Sequence, residues 1–188
     1  MGDTIVLTTP LTEEALAGLR AGDSVLITGT VLAARDAAHK RLADLIEKGE
    51  PLPVEIAGKV IYYAGPSPAK PDKPIGSVGP TTSGRMDAYT PMLLDLGLKG
   101  MIGKGYRNQA VKDAIVRNKA VYFASMGGAA ALNAQRITAA RIVAYEDLGP
   151  EAIRELDVVD FPAVVVNDIY GGDIYDEGRR EYERTVGT

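Results

Sequence analysis

The chain has 188 residues, 46% hydrophobic and 24% charged, with a net charge of -4. That length holds one domain with a core large enough to stand without cross-links, and the acidic balance gives no general attraction to nucleic acid or anionic lipid. With no cysteine and a single histidine, His39, the chain offers no disulfide, no thiol nucleophile, no thiolate for an iron–sulfur cluster and no multi-histidine metal site.

Residues 1–4 show no basic segment leading into an apolar one, so no secretory signal is expected. No apolar run approaches the length of a membrane span. The expectation is a cytoplasmic protein without a membrane anchor.

Residues 5–7 predict a short strand. A helix then starts near Pro10, with Thr12 as cap, Glu13 and Glu14 at its positive end, and Leu16 and Leu19 facing inward. Residues 24–32, rich in β-branched side chains, predict a second strand. Arg35-Asp36 opens the next helix, whose stripe is Ala38, Leu42, Leu45 and Ile46 and whose stop is Gly49. Arg35 and His39, four apart, share one face of it. Residues 59–64 predict a third strand, running into 65–74, where four prolines preclude a regular helix or central strand. That loop reads either as a lid or binding loop or as a stiff surface connection.

The stretch Gly79-Pro80-Thr81-Thr82-Ser83-Gly84-Arg85 organises the middle of the chain. Its hydroxyl residues read either as caps for a following helix or as part of an anion seat, with Arg85 adding a planar fork of donors. Met86, Tyr89, Leu93 and Leu96 recur at helical spacing, and Pro91 predicts a kink or a restart. The stretch falls short of a phosphate-binding P-loop, because Arg85 and Met86 stand where that motif has lysine and a hydroxyl residue.

A strand over 98–102 ends at Gly103-Lys104-Gly105, read either as a close-approach site for a ligand or as a turn with a solvated lysine. Asn108 caps a helix with the stripe Val111, Ala114 and Ile115, and 120–125 is a buried strand. Residues 126–128 open a small-residue helix over 129–134, and 142–145 is a strand. Glu146 and Asp147, read as helix-dipole partners or as general acids, lead to a helix with Pro150 near its first position. Residues 161–166 form the last strand. Asn167-Asp168 and the 171–173 segment are turns without the spacing of an EF-hand. From about 176 the tail is charged and is expected to be exposed or partner-bound.

Strands and helices alternate, which makes the class α/β, and sites in such folds gather at strand ends. Arg35, Arg85 and Lys104 each follow a predicted strand. Three cations from separate junctions that meet would suit a small dianion.

Five segments carry a family resemblance: residues 34–41 (Ala-Arg-Asp-Ala-Ala-His-Lys-Arg), 62–66 (Tyr-Tyr-Ala-Gly-Pro), 79–87, 101–105 and 145–151. In this order they resemble the β subunit of the two-subunit class I fumarate hydratases, across nearly the whole chain. L-tartrate dehydratase β subunits share the motifs. The resemblance implies that residues 1–188 form a single catalytic domain of the swivelling β/β/α three-layer type with mixed sheets. It also implies a hetero-oligomer with an α subunit that holds a [4Fe–4S] cluster through its own cysteines, leaving one iron open as a Lewis acid. The reaction implied is reversible hydration of fumarate to L-malate, or, as the alternative, dehydration of L-tartrate to oxaloacetate. Residue by residue, it gives Arg35 and Arg85 as binders of substrate carboxylates. Lys104 becomes a substrate contact that stabilises developing charge, and Thr81 the group that moves the C3 proton in relay with an acid of the α subunit. His39 takes a supporting role.

Overall fold

The computed structural model describes residues 4–125 and 130–186. β1 (Ile5–Thr8) runs parallel to the first half of β2 (Ser24–Ala33). The end of β2 pairs in parallel with β3 (Val60–Tyr62), which pairs with β4 (Gly100–Gly103), and β4 with β5 (Val121–Ala124). The long β7 (Ile153–Asn167) is antiparallel to β5 near one end and to β2 along most of its length. β6 (Ile137–Ala144) adds outside β7. The pairings β2–β3–β4–β5–β7 therefore return to β2 and make a closed circuit, with β1 and β6 outside it.

Alternation along the strands divides the apolar side chains between two cores. Val25, Ile27, Val31, Tyr62, Ile102, Phe123, Leu156 and Phe161 share the core within the circuit. Tyr62 meets Phe161 edge to face there, with ring centroids 5.3 Å apart. The opposite positions, Leu32, Ile61, Tyr63, Met101 and Tyr122, face helices. Against them lie Ala38 and Leu42 of α2, Leu93 and Leu94 of α3, and Val111 and Ile115 of α4. Those helices span Asp36–Lys48, Thr90–Asp95 and Gln109–Asn118, and α1 covers Glu13–Ala17. Each such side chain taken fully out of water contributes roughly 1.5–3 kcal/mol. The architecture is thus mixed α/β, as the alternation of elements predicts.

The end signals act as read. Thr12 Oγ1 accepts from Ala15 N, Asn108 Oδ1 accepts from Val111 N at 2.9 Å, and Gly49 closes α2 at φ 67. Three expectations are corrected. After Ser83 there is one 3-10 turn, Ser83–Met86, in which Thr82 makes no capping bond through its side chain. The α-helix restarts at Thr90, with Pro91 in its first turn, where a missing N–H costs nothing. No helix follows Pro150. A 3-10 turn, Glu146–Glu151, hands over to β7, whose Ile153 buries on the helix side and whose Leu156 and Val158 bury in the core within the circuit. β6 also begins at Ile137, ahead of the predicted strand.

The tail is α6 (Ile174–Val186). Ile174 and Tyr175 pack on the helix-side core, and Lys112 of α4 bridges Asp173 and Asp176. The predicted helix opening at 126–128 lies outside the described residues, and α5 spans Ala130–Gln135. No helix among the described residues is long and apolar enough to cross a membrane.

Candidate functional site

Three parallel neighbours, β2, β3 and β4, bring their ends to one edge of the sheet. Ala33 is level with Tyr62, and Tyr62 with Ile102. Arg35 and Lys104 each lie two residues beyond those positions. The loop carrying Thr81 comes to the same edge, because Thr81 N donates to Tyr63 O at 2.7 Å. Thr82 then pairs with Lys104 in a parallel bridge. Arg35, Lys104 and Thr81 therefore stand at the ends of adjacent strands, a placement that strand-end logic anticipates, and Arg85 follows in the 3-10 turn after Thr82.

Two of them are joined through a shared carboxylate. Asp36, first residue of α2, sets Oδ1 2.8 Å from Arg85 Nε and Oδ2 3.3 Å from Arg35 Nε. Glu151, from the turn before β7, places Oε1 3.1 Å from Arg35 Nη2 and accepts from Ala37 N through Oε2 at 2.8 Å. One carboxylate thus serves two guanidinium groups, and a second both braces Arg35 and caps α2, where Arg35 makes no capping bond through its side chain. Arg35 also needs Gly65. A Cβ there would stand 3.1 Å from Arg35 Cδ and 3.1 Å from Pro150 O.

Lys104 is gripped through its backbone. Ser83 N donates to Lys104 O at 2.9 Å, and Lys104 N donates to Ser83 Oγ at 3.1 Å. Tyr122 Oη gives its proton to Gly105 O at 2.9 Å, so Ser83 Oγ donates to Tyr122 Oη, also at 2.9 Å. The side chain of Lys104 is exposed and makes no ion pair among the described residues. The first glycine of Gly-Lys-Gly has a structural cause: a Cβ on Gly103 would overlap Ser83 Oγ. The second, Gly105, sits at φ +84, where glycine alone is unstrained.

His39 is fully buried beneath this edge, edge-on to Tyr63 at 5.3 Å. Its Nδ1 lies 3.0 Å from Arg35 O. A carbonyl only accepts, so Nδ1 carries the proton and Nε2 is left without a partner. Burial pushes the imidazole pKa down to about 4, the bond to Arg35 opposing and the Arg107 charge adding to the push. His39 is neutral near pH 7 and supports Arg35 from behind. Deeper still, Arg107 and Asp87 form a buried pair at 2.7 Å, with Thr90 Oγ1 on Arg107 Nη2 and Asn108 N on Asp87 Oδ2.

The proline-rich loop is stitched to itself, Ser67 N donating to Ser77 O at 3.0 Å. A Cβ on Gly76 would overlap the carbonyls of Ser67 and Pro68. With Ala140, Ile142 and Arg154 the loop borders a hollow of about 380 Å³ that none of the four residues lines. At the charged edge Arg85 and Lys104 are exposed, and Arg35 and Thr81 are half-buried.

Asp36, Glu151, Tyr122 and Gly65 carry no sequence signal for a part in this edge, and Ser83, a cap or anion-seat hydroxyl by sequence, instead grips Lys104. Asp36 adjoins Arg35 and by sequence alone only opens a helix. Glu151 meets Ala37 across 114 positions, and no local signal marks it.

A mixed α/β domain with cations collected at a strand-end edge is the class defined so far. The chain matches the family model described as Fumarase C-terminus over residues 2–178, and it belongs to that family. It is 44% identical over 153 residues to the anaerobic class I fumarate hydratase of Escherichia coli K12, covering 80% of this chain and 28% of that protein. It is 39% identical over 156 residues to fumarate hydratase 2 of Leishmania major, covering 82% and 28%. To the L(+)-tartrate dehydratase subunit beta of E. coli K12 it is 34% identical over 180 residues, covering 93% and 88%. The chain therefore spans 28% of the length of those two fumarate hydratases, but nearly all of the tartrate dehydratase subunit.

Proposed function

We propose that this chain is the β subunit of a class I fumarate hydratase, catalysing the reversible addition of water to fumarate together with an α subunit. The family supports a hydro-lyase, since the named relatives are fumarate hydratases and a tartrate dehydratase. The match along 88% of a protein whose name says subunit beta supports a separate partner chain, and the charged edge is the kind of surface such a partner covers. That same match favours a second reading, dehydration of L-tartrate. The closed strand circuit with α2, α3 and α4 packed outside it supports the swivelling β/β/α description, with the chain as one catalytic domain.

The observation that carries the reading is the meeting of Arg35 and Arg85 on one carboxylate, beside Thr81 and Lys104, at the ends of adjacent strands. A dicarboxylate needs a cation toward each end, and a guanidinium fork fixes orientation as well as charge. Arg35 and Arg85 take the two carboxylates. Lys104 stabilises the negative charge that grows on the substrate as the C3–H bond forms or breaks, as a cation set in place in advance does. Thr81 moves the C3 proton. A hydroxyl is a weak base, so it works in relay with an acid of the partner.

The residues of this chain do not fit an iron–sulfur cluster. It has no cysteine, and among the described residues no group of three or more histidine, cysteine, aspartate or glutamate side chains is placed to hold a metal ion. We assign the cluster to the α subunit.

The test is Arg85→Ala in the complex reconstituted from both subunits. Fumarate loss and oxaloacetate formation from L-tartrate are followed side by side. Turnover of the preferred substrate should fall by about 100-fold or more with an unchanged circular dichroism spectrum. Near-normal rates would reject the assignment.

A further inference from the structure

Asp36 has an ordinary explanation, that an acid in the first turn complements a helix dipole. The contacts argue against it. The backbone N–H of Ala37 is taken by Glu151 Oε2. Both oxygens of Asp36 are instead engaged with arginines, Oδ1 with Arg85 Nε and Oδ2 with Arg35 Nε. Its backbone is fixed by α2 and its neighbour by Glu151, so this carboxylate is a rigid post rather than a loose surface acid.

A guanidinium held at Nε keeps its terminal Nη1–Nη2 edge for another carboxylate. For Arg85, half-exposed at 52%, that edge has no partner among the described residues. An unrestrained arginine loses much rotamer freedom when a ligand fixes it, and restraint beforehand improves affinity by cutting that cost.

Building on the functional reading above, we propose that Asp36 is a positioning residue: one shared carboxylate that pre-sets Arg35 and Arg85, so that the open fork of Arg85 is held beside Arg35 before the dicarboxylate arrives. Asp36 touches neither substrate nor reacting atoms. It acts through the two arginines, and Glu151 and Gly65 complete the restraint on one of them.

Asparagine keeps the shape but not the function. It has one acceptor oxygen, and its NH2 group turns donors toward a guanidinium. In the reconstituted complex, D36N should raise KM for the preferred dicarboxylate by about tenfold or more, the scale of losing restraint on such side chains. The same substitution on an R85A background should raise KM by a clearly smaller factor, because the group it acts through is gone. A rise below tenfold for D36N, or an equal factor on both backgrounds, overturns the proposal. So does a lowered Tm with KM unmoved, which would make Asp36 a purely structural acid. If D36N fails to assemble, D36S is carried through the same pair of measurements and judged by the same criteria. A wild-type complex inactive on both fumarate and L-tartrate sinks the functional reading itself. An active wild type with an indifferent D36N sinks only the role of Asp36.

Discussion

His39 predicts a pH dependence of stability that a single substitution should remove. In the unfolded chain its imidazole titrates near 6.5, whereas in the fold burial, opposed by the bond to the Arg35 carbonyl, pushes it down to about 4. Between those values the unfolded chain binds the extra proton and the folded one does not. The stabilisation is therefore whole above about pH 6.5 and drains away as the pH falls toward 4. The linkage relation gives a loss of about 2 kcal/mol between about pH 7 and about pH 5, out of about 3 kcal/mol in all. H39N keeps an amide donor for the Arg35 carbonyl and removes the titration. Urea unfolding followed by circular dichroism would measure both proteins at the two pH values. The carboxylates that titrate in this range are common to both and cancel in the difference. The wild type should lose about 2 kcal/mol more than H39N over the interval. Parallel losses would show that the buried histidine does not titrate as argued and would remove the case for a neutral imidazole beneath Arg35.

Other outcomes follow from particular contacts. Gly103→Ala drives a methyl group into Ser83 Oγ and to 3.0 Å from Tyr63 Cδ2. It should cost about 1–3 kcal/mol in chemical denaturation and weaken the hold on Lys104. Arg107→Met leaves Asp87 buried and unpaired, with an expected loss of about 3–5 kcal/mol measured the same way. Asp168→Ala orphans the N–H groups of Ala21, Tyr170 and Gly172, each 2.9 Å from its carboxylate. A destabilisation of about 3 kcal/mol is expected, with faster hydrogen exchange at those amides. Gly65→Ala crowds Arg35 and should raise KM of the reconstituted complex while leaving Tm nearly unchanged.

Much of the frame was legible because local signals and tertiary structure agree. Thr12, Gly49 and Asn108 are read from side-chain chemistry that works over three or four residues. The first half of β7 is where that logic failed. Pro150 after Glu146 and Asp147 has the composition of a helix start, whereas the strand predicted over 161–166 falls within β7 despite Pro162. The proline is tolerated because β7 pairs with β6 only up to Val158 and with β5 only from Val164. Pro162 falls in the gap, with β2 alone beside it, at Leu26. The four candidate residues are legible as cations and a hydroxyl after strands, and through the family motifs. Their joining by Asp36 and Glu151 is not, since it depends on which strand ends become neighbours. Gly103 is compatible in sequence with either a ligand's approach or a tight turn, and the space beside it is filled by the protein's own serine.

The strand that completes the circuit comes late in synthesis. β2 is made from residue 24 onward, yet its antiparallel mate is finished only at Asn167. Until then a nascent chain carries the bare flanks of β2 and β5, which attract foreign strands. Maturation of this protein should accordingly be slow and dependent on chaperones, with the pace set by when its closing piece leaves the ribosome.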